Sequence, residues 1–199
     1  MARRPTPRTE SVLKQGLEAD LAIFLRRIRN AALKFAAVRL RDEEAALDVL
    51  QEAMIGFAQA APRYEDDAWT KLFYRILLRR ITDHQRKQGW RERIVRILPF
   101  SQMGLPEQGE DTDTAEARLA ISRDHTASGY EADELAEAFE AALAQLPARQ
   151  QESYLLRQWQ GLSVKEVAEA MNCSEGSVKT HLSRAMQSLR SELGEWVDE

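Results

Sequence analysis

Two stretches of the chain concentrate the side chains that could do chemistry. Near the C-terminus, Lys179, Thr180, Ser183 and Arg184, preceded by Glu175 and Ser177, fall together in a helical pattern. Lysine and arginine placed this way donate to phosphates or guanine edges, and the short hydroxyls fit between them. Residues 70–96 form the second stretch, with nine Lys or Arg against Asp83 and Glu92, a local balance of +7. Within it Arg75, Arg79, Arg80, Arg86 and Lys87 stand near Tyr64, Trp69 and Tyr74, so that cations and aromatic rings are interleaved. Tyr74 or Trp69 can equally be core aromatics. Covalent chemistry has no comparable constellation. His84, His125, His181 and Cys173 are scattered, and neither a Gly-rich phosphate loop nor a Ser-His-Asp arrangement is suggested. No catalytic residue, metal or cofactor is expected.

The elements that must position these groups are helices. Of 199 residues, 44% are hydrophobic and 30% charged, with nine Gly and six Pro, a balance that suits a helical globule. Leu17, Leu21, Phe24, Leu25, Ile28, Ala32, Phe35 and Val38 follow three- and four-residue spacing, predicting a long amphipathic helix over 13–40. Asp42-Glu43-Glu44 opens a second helix, since acids favour a first turn, and Pro62 ends it. A third runs from Trp69 to about Gln88, its inner face Leu72, Phe73, Ile76, Leu77 and Ile81. Periodicity then fades between Pro99 and Tyr130 while acids accumulate. Residues 107–140 hold eleven acids against Arg118 and Arg123. The net charge of -4 therefore hides a basic block followed by an acidic one, an asymmetry informative about partners.

The pattern returns at Asp133 and breaks at Pro147 and Gly161. Ser163-Val164-Lys165-Glu166 is a capping box opening a short helix, and Asn172 suits the left-handed turn after it. The next helix buries Val178, Leu182, Met186, Leu189 and Leu193, with small Ala168 letting the two helices cross closely. This is a helix-turn-helix. The expected fold class is all-α: two helical domains, residues 13–96 and 131–195, joined by an acidic flexible linker over 97–130, the second domain a helix-turn-helix four-helix unit. The single cysteine, Cys173, fits a reducing, cytoplasmic setting. Neither a signal-peptide core nor an apolar run of about 18 residues is expected, hence no membrane insertion.

Three stretches then resemble a known family. Leu146-Pro147-Ala148-Arg149-Gln150-Gln151-Glu152, Trp159 to Ala168, and Cys173 to Ala185 are similar to region four of bacterial RNA polymerase sigma factors, the extracytoplasmic-function group fitting best. Asp48-Val49-Leu50-Gln51-Glu52-Ala53-Met54 resembles the segment that grips the polymerase clamp. Leu72 to Leu77 and Asp83 to Lys87 resemble the helix that melts and reads the minus-ten element. The resemblance implies a protein without catalysis of its own that binds the clamp and flap regions of core RNA polymerase and both double- and single-stranded promoter DNA. It also implies an anti-sigma factor. Carried onto this chain, it assigns Asp48, Gln51 and Glu52 to core docking. The minus-ten element falls to Tyr64, Trp69, Arg75, Arg79, Arg80, Asp83, Arg86 and Lys87. Arg149, Ser177, Lys179, Thr180, Ser183 and Arg184 are assigned to the minus-thirty-five element.

The chain departs from the family pattern twice. Ala45-Ala46-Leu47-Asp48 stands where an Asp-Ala-Glu-Asp run is frequent, leaving fewer carboxylates for docking, and Arg79 stands where Asn is frequent. A helix-turn-helix regulator that acts without polymerase is the competing reading. Limited proteolysis of the free chain is expected to cut first between Pro99 and Tyr130 and leave two resistant fragments. First cleavage inside residues 20–90 would contradict the two-domain expectation.

Overall fold

A computed structural model of the chain describes residues 7–97 and 130–197, all placed in helices or the short turns between them. The linker expected over 97–130 therefore lies outside the described residues, apart from its two ends. Helix α1 (Pro7–Leu40) is followed by α2 (Glu43–Ala60) and α3 (Trp69–Ile97). Leu21, Phe24, Ile28, Ala32, Phe35 and Ala36 form the buried stripe of α1, and Ala46, Val49, Leu50, Ala53 and Phe57 that of α2. Between the two helices Arg41 takes a left-handed conformation (φ 54°). Asp42 then caps α2, its carboxylate accepting from the Ala45 amide at 3.0 Å. Short 3₁₀ turns at Ala61–Arg63 and Asp66–Ala68 lead into α3, with Pro62 inside the first.

The three helices close around a group of rings. Phe24 and Phe57 lie 4.9 Å apart between centroids, Trp69 meets both edge-on at 5.5 and 5.9 Å, and Phe73 completes the group. Edge-to-face geometry sets the positive ring edge on the negative face of the next ring, adding to the burial itself. Tyr74 is fully buried beside Phe35 and Phe73, and its hydroxyl has no hydrogen-bond partner among the described residues. Burial pushes that phenol well above the ordinary tyrosine value.

The second group of helices comprises α4 (Tyr130–Gln145), α5 (Ala148–Tyr154), α6 (Val164–Met171) and α7 (Glu175–Val197). Pro147 stands at the N-cap of α5. Past Tyr154 the chain widens into one π-helical turn, Leu155–Trp159, where the Gln160 amide reaches back to the Leu155 carbonyl. Gly161 (φ 68°) then turns the chain, a conformation glycine adopts without a Cβ penalty. The capping box forms as expected. The Glu166 amide donates to Ser163 Oγ at 3.2 Å, and the Ser163 amide donates to the Glu166 carboxylate at 2.8 Å. Asn172 ends α6 in the left-handed region (φ 51°), and Ser174 Oγ accepts from the Ser177 amide at 3.1 Å to start α7.

Two features depart from the expected elements. Helix α3 does not stop near Gln88 but continues through Gly89 to Ile97, since an isolated helical glycine costs only about 1 kcal/mol. The two groups of helices also pack together: α6 lies on α3, α4 touches the end of α1, and their buried side chains form one continuous cluster.

Phe73, with no exposed surface at the centre of the ring group, offers a direct check. Phe73→Ala is expected to lower unfolding free energy by about 3 to 5 kcal/mol, read from the urea midpoint at unchanged m-value.

Candidate nucleic-acid interface

Helix α7 is split lengthwise by burial. Val178, Ala185 and Leu189 are buried and Leu182 is partly covered, which turns Lys179, Thr180, Ser183 and Arg184 to the surface. Ser177 is half-buried because its hydroxyl meets Ser174 Oγ at 2.9 Å at the helix start. Thr180 Oγ1 donates to the Gly176 carbonyl at 3.0 Å, so its proton is committed and its lone pairs face outward. Lys179, Ser183 and Arg184 thus remain outward donors of this face. Arg149 sits behind the turn rather than on α7. Its guanidinium donates to the Met171 carbonyl at 3.1 Å and lies 3.4 Å from the Glu152 carboxylate. The side chain is still more than half exposed, so it fastens the end of α6 while keeping donors toward solvent.

Along α3 the cations separate into two sets. Arg79, Arg80, Arg86 and Lys87 are exposed; Arg79 lies 3.9 Å from Asp83 one turn on, and Arg80 lies 3.5 Å from Glu52 of α2. Surface pairs of this kind contribute about 0 to 1 kcal/mol and yield readily to a competing anion. Lys71 and Arg75 reach α6: Lys71 Nζ is 2.9 Å from the Glu169 carboxylate, and Arg75, itself still exposed, donates from Nε to the Glu169 carbonyl at 3.1 Å. The Glu169 hydrogen bond raises the Lys71 pKa, and the same contact lowers that of Glu169.

The aromatic residues divide as well. Tyr64 is 47% exposed on the loop before α3, beside an open groove of about 520 Å³ that also touches Ile23, Phe24, Arg27 and Trp69. Trp69 is 5% exposed, its ring packed on Phe24 and Phe57 and its Nε1 donating to the Tyr64 carbonyl at 3.3 Å. The expectation that Trp69 meets a base directly is corrected by that packing. In this arrangement the indole holds the Tyr64 loop in place and presents no free ring face. Asp48, Gln51 and Glu52 do share the outer face of α2, together with exposed Leu47 and Ile55. Glu52 is the member already paired, with Arg80.

One polar cluster had no sequence reading. Arg39, in the last turn of α1, is buried; it donates to Gln151 Oε1 at 2.8 Å and to Glu152 Oε1 at 3.0 Å, both on α5. Gln151 in turn donates to the Leu143 carbonyl at 2.9 Å, and the Gln85 amide group donates to the Arg39 carbonyl at 3.2 Å. Burial raises the Glu152 pKa above the ordinary carboxylate value, opposed by Arg39 and Arg149. The available signal was a cation between Val38 and Leu40 on a core-facing helix. Its partners, 112 and 113 positions away, left no local trace.

Two family models match the chain: Sigma-70 region 2 over residues 23–91 and Sigma-70 region 4 over residues 136–189. The chain is 30% identical to the RNA polymerase sigma-E factor of Streptomyces coelicolor over 171 residues, spanning 85% of this chain and 84% of the relative. It is 29% identical over 195 residues to the ECF RNA polymerase sigma factor SigD of Mycobacterium tuberculosis, 94% of this chain and 84% of that one. Among solved structures, the sigma factor RpoE in complex with the anti-sigma factor NepR from Bartonella quintana superposes with a TM-score of 0.62 at 23% identity, over 90% of this chain and 99% of that one. CnrH in complex with the cytosolic domain of CnrY gives 0.54 at 17% identity, over 89% and 90%. These two likenesses speak to the fold. With both regions matched in order and the relatives aligned across most of their length, the chain belongs to the sigma-70 family of RNA polymerase sigma factors, in its extracytoplasmic-function group.

Proposed function

We propose that this chain directs core RNA polymerase to promoters, with α7 reading the minus-thirty-five element, α3 and the Tyr64 loop handling the minus-ten element, and α2 docking on the polymerase clamp. It performs no covalent chemistry of its own. The observation that carries the reading is the division of α7: Val178, Ala185 and Leu189 are buried in the core with Leu182 partly covered, and Lys179, Thr180, Ser183 and Arg184 are exposed on the other side. A helix in that position presents its N-terminal half to a major groove.

The two regions correspond to units over 13–96 and 131–195. Arg79, Arg80, Arg86 and Lys87 supply cations for phosphates, Asp83 orients Arg79, and Tyr64 offers a ring to an unstacked base. Arg149 is suited to a backbone phosphate rather than a base, because its guanidinium is tied to α6. The flap region of the polymerase is the partner for the second unit. An anti-sigma factor is inferred from the solved relatives RpoE and CnrH, each determined with a partner, NepR described as an anti-sigma factor in one and the CnrY cytosolic domain in the other. Among the described residues no helix is long and apolar enough to cross a membrane.

The exposed Asp48, Gln51 and Glu52 face favours a polymerase-dependent factor over a regulator that binds DNA alone. Run-off transcription with core polymerase, with and without the chain, tests the choice. Promoter-specific transcripts that require both support the reading, and DNA binding unaffected by core supports the regulator.

Two substitutions probe the assigned surfaces. Asp48→Lys is preferred to a change at Glu52, whose loss would also release Arg80. It is expected to weaken association with core about tenfold, a scale set by reversal of a single interfacial charge, with the helical circular dichroism spectrum unchanged. Unaltered affinity removes the docking assignment. Arg184→Ala is expected to relax preference at one or two base positions by about 1 to 3 kcal/mol, the discrimination of a bidentate guanine contact. The measurement is a titration of the chain with core against single-base variants at fixed salt. Equal losses on every variant would make Arg184 a phosphate contact and shift base reading to Lys179, Thr180 or Ser183.

A further inference from the structure

Between Asp20 and Asp42 the chain holds six cations and no acid. Arg39 and Arg41 are engaged by α5 and α4, at the Glu152 carboxylate and the Ala144 carbonyl. Arg26, Arg27, Arg29 and Lys34 are left exposed on α1. Phe24, Ile28, Ala32 and Phe35 fill the opposite side of the helix, so the core makes no use of these charges. Like charges three or four residues apart on a helix repel each other, and Arg26 and Arg29 are such a pair. None of Arg26, Arg27 and Lys34 forms an ion pair with another described residue. An acid-free face of this kind is stabilised by an anion from outside.

The charges are aligned. Ile23, Arg27, Asn30 and Lys34 recur at four-, three- and four-residue steps and are all exposed, forming one stripe with Arg26 beside it. At 1.5 Å per residue the stripe is about 17 Å long. It starts at the Tyr64 groove, which Ile23 and Arg27 line together with Tyr64, Asp66 and Trp69. The Arg27 guanidinium carbon sits 5.7 Å from the Phe24 ring centroid, a contact that holds it at the groove wall while the side chain stays exposed. The α3 cations lie elsewhere: Arg80 reaches Glu52 of α2, whereas Tyr74 and Gln85 are the α3 side chains that meet α1. The two cationic faces thus lie on different sides of the first three helices, and the Tyr64 loop stands between them.

We propose that the exposed face of α1 carrying Arg26, Arg27 and Lys34 is a phosphate track for the unpaired DNA strand where it leaves the Tyr64 ring. The strand then rounds the end of the three helices and continues along α1, so its contacts do not stop at the minus-ten element. The inference rests on the minus-ten reading of α3 and the Tyr64 loop. Cations at repeating intervals suit a phosphodiester backbone and hold it without reading sequence. The face on α2 differs in kind, with the carboxylates of Asp48 and Glu52 beside exposed Leu47 and Ile55, and offers nothing to a phosphate. Arg27 is the link between the two parts of the path, because it belongs both to the groove and to the stripe.

The experiment uses the full chain and a fluorescein-labelled oligothymidylate of about 16 nucleotides, the upper span of a single-strand site, with binding followed by anisotropy across a salt series. Changing Arg26→Gln, Arg27→Gln and Lys34→Gln together removes three exposed charges. The triple variant is expected to keep the helical circular dichroism spectrum and to bind more weakly. Its plot of log affinity against log salt is expected to be flatter by about 2, three single-strand phosphate contacts at roughly 0.7 each. Should helical content fall, Arg27→Gln alone decides, with an expected change in slope of about 0.7. A slope equal to the parent's overturns the proposal. Oligothymidylate binding that is intact while association with core polymerase is lost does so too, and makes the face a protein contact. Two oligonucleotides bound independently per chain would also overturn it, because a continuous path takes one. Changing Arg86→Gln and Lys87→Gln together tests the underlying reading. If that leaves oligothymidylate binding untouched, the minus-ten assignment of α3 fails, a result distinct from an unchanged slope in the α1 variant.

Discussion

Helix α3 is asked to satisfy three surfaces at once. Its apolar stripe closes the ring group with α1 and α2, a second side receives α6, and a third carries Arg79, Arg86 and Lys87 to solvent. A helix repeats every 3.6 residues, so positions assigned to one side are unavailable to another. Phe73, Leu77 and Ile81 take the core side with no exposed surface, and that commitment fixes where every cation on the helix must point. The aromatic packing and the charge pattern are therefore one constraint seen from two sides. A change that rotated α3 to relieve the core would misdirect the DNA-facing cations as well.

The division within the aromatic set follows from this. Trp69 begins α3 and Tyr64 precedes it, five positions apart in sequence, yet one is sealed against Phe24 and Phe57 and the other stands half in water. The hydrogen bond from the indole to the Tyr64 carbonyl couples them. A buried Trp usually finds a partner for its N–H, and here the partner is the backbone of the loop that carries the exposed ring. The core thus holds the orientation of a surface group without itself meeting the ligand.

Much of this was legible in the residues. Three- and four-residue apolar spacing located the long helices among the described residues, because the core of a helical protein is a periodic demand on sequence. Ser163, Glu166 and Asn172 announced the helix-turn-helix because caps and left-handed turns are local chemistry. The outward face of α7 followed once Val178 and Leu189 were placed inside. What escaped was non-local or energetically close. Arg39 looks like any helix-surface cation until Gln151 and Glu152 are brought to it by the tertiary fold. Trp69 satisfies the composition of a base-stacking site and of a core equally well, and only packing decides. Gly89 marked a plausible helix end, but one helical glycine costs only about 1 kcal/mol and α3 runs through it. Of the acidic stretch, residues 130–140 lie among the described residues and form the first part of α4.

The π-helical turn at Leu155–Trp159 acts as a phase adjustment in the chain. One residue in an α-helix advances the side-chain direction by about 100°, and a π turn accommodates one more residue than a regular turn. The segment therefore delivers Gly161 and Leu162 to α6 at an angle that an uninterrupted α-helix of the same length would miss. Leu162 is buried, and Ser163 starts the capping box immediately after it. Substitutions along these five positions change only side chains, and a regular α-helical turn with one residue fewer would leave the chain in nearly the same direction. The widened turn thus absorbs one residue more than a regular turn while Leu162 still reaches the core.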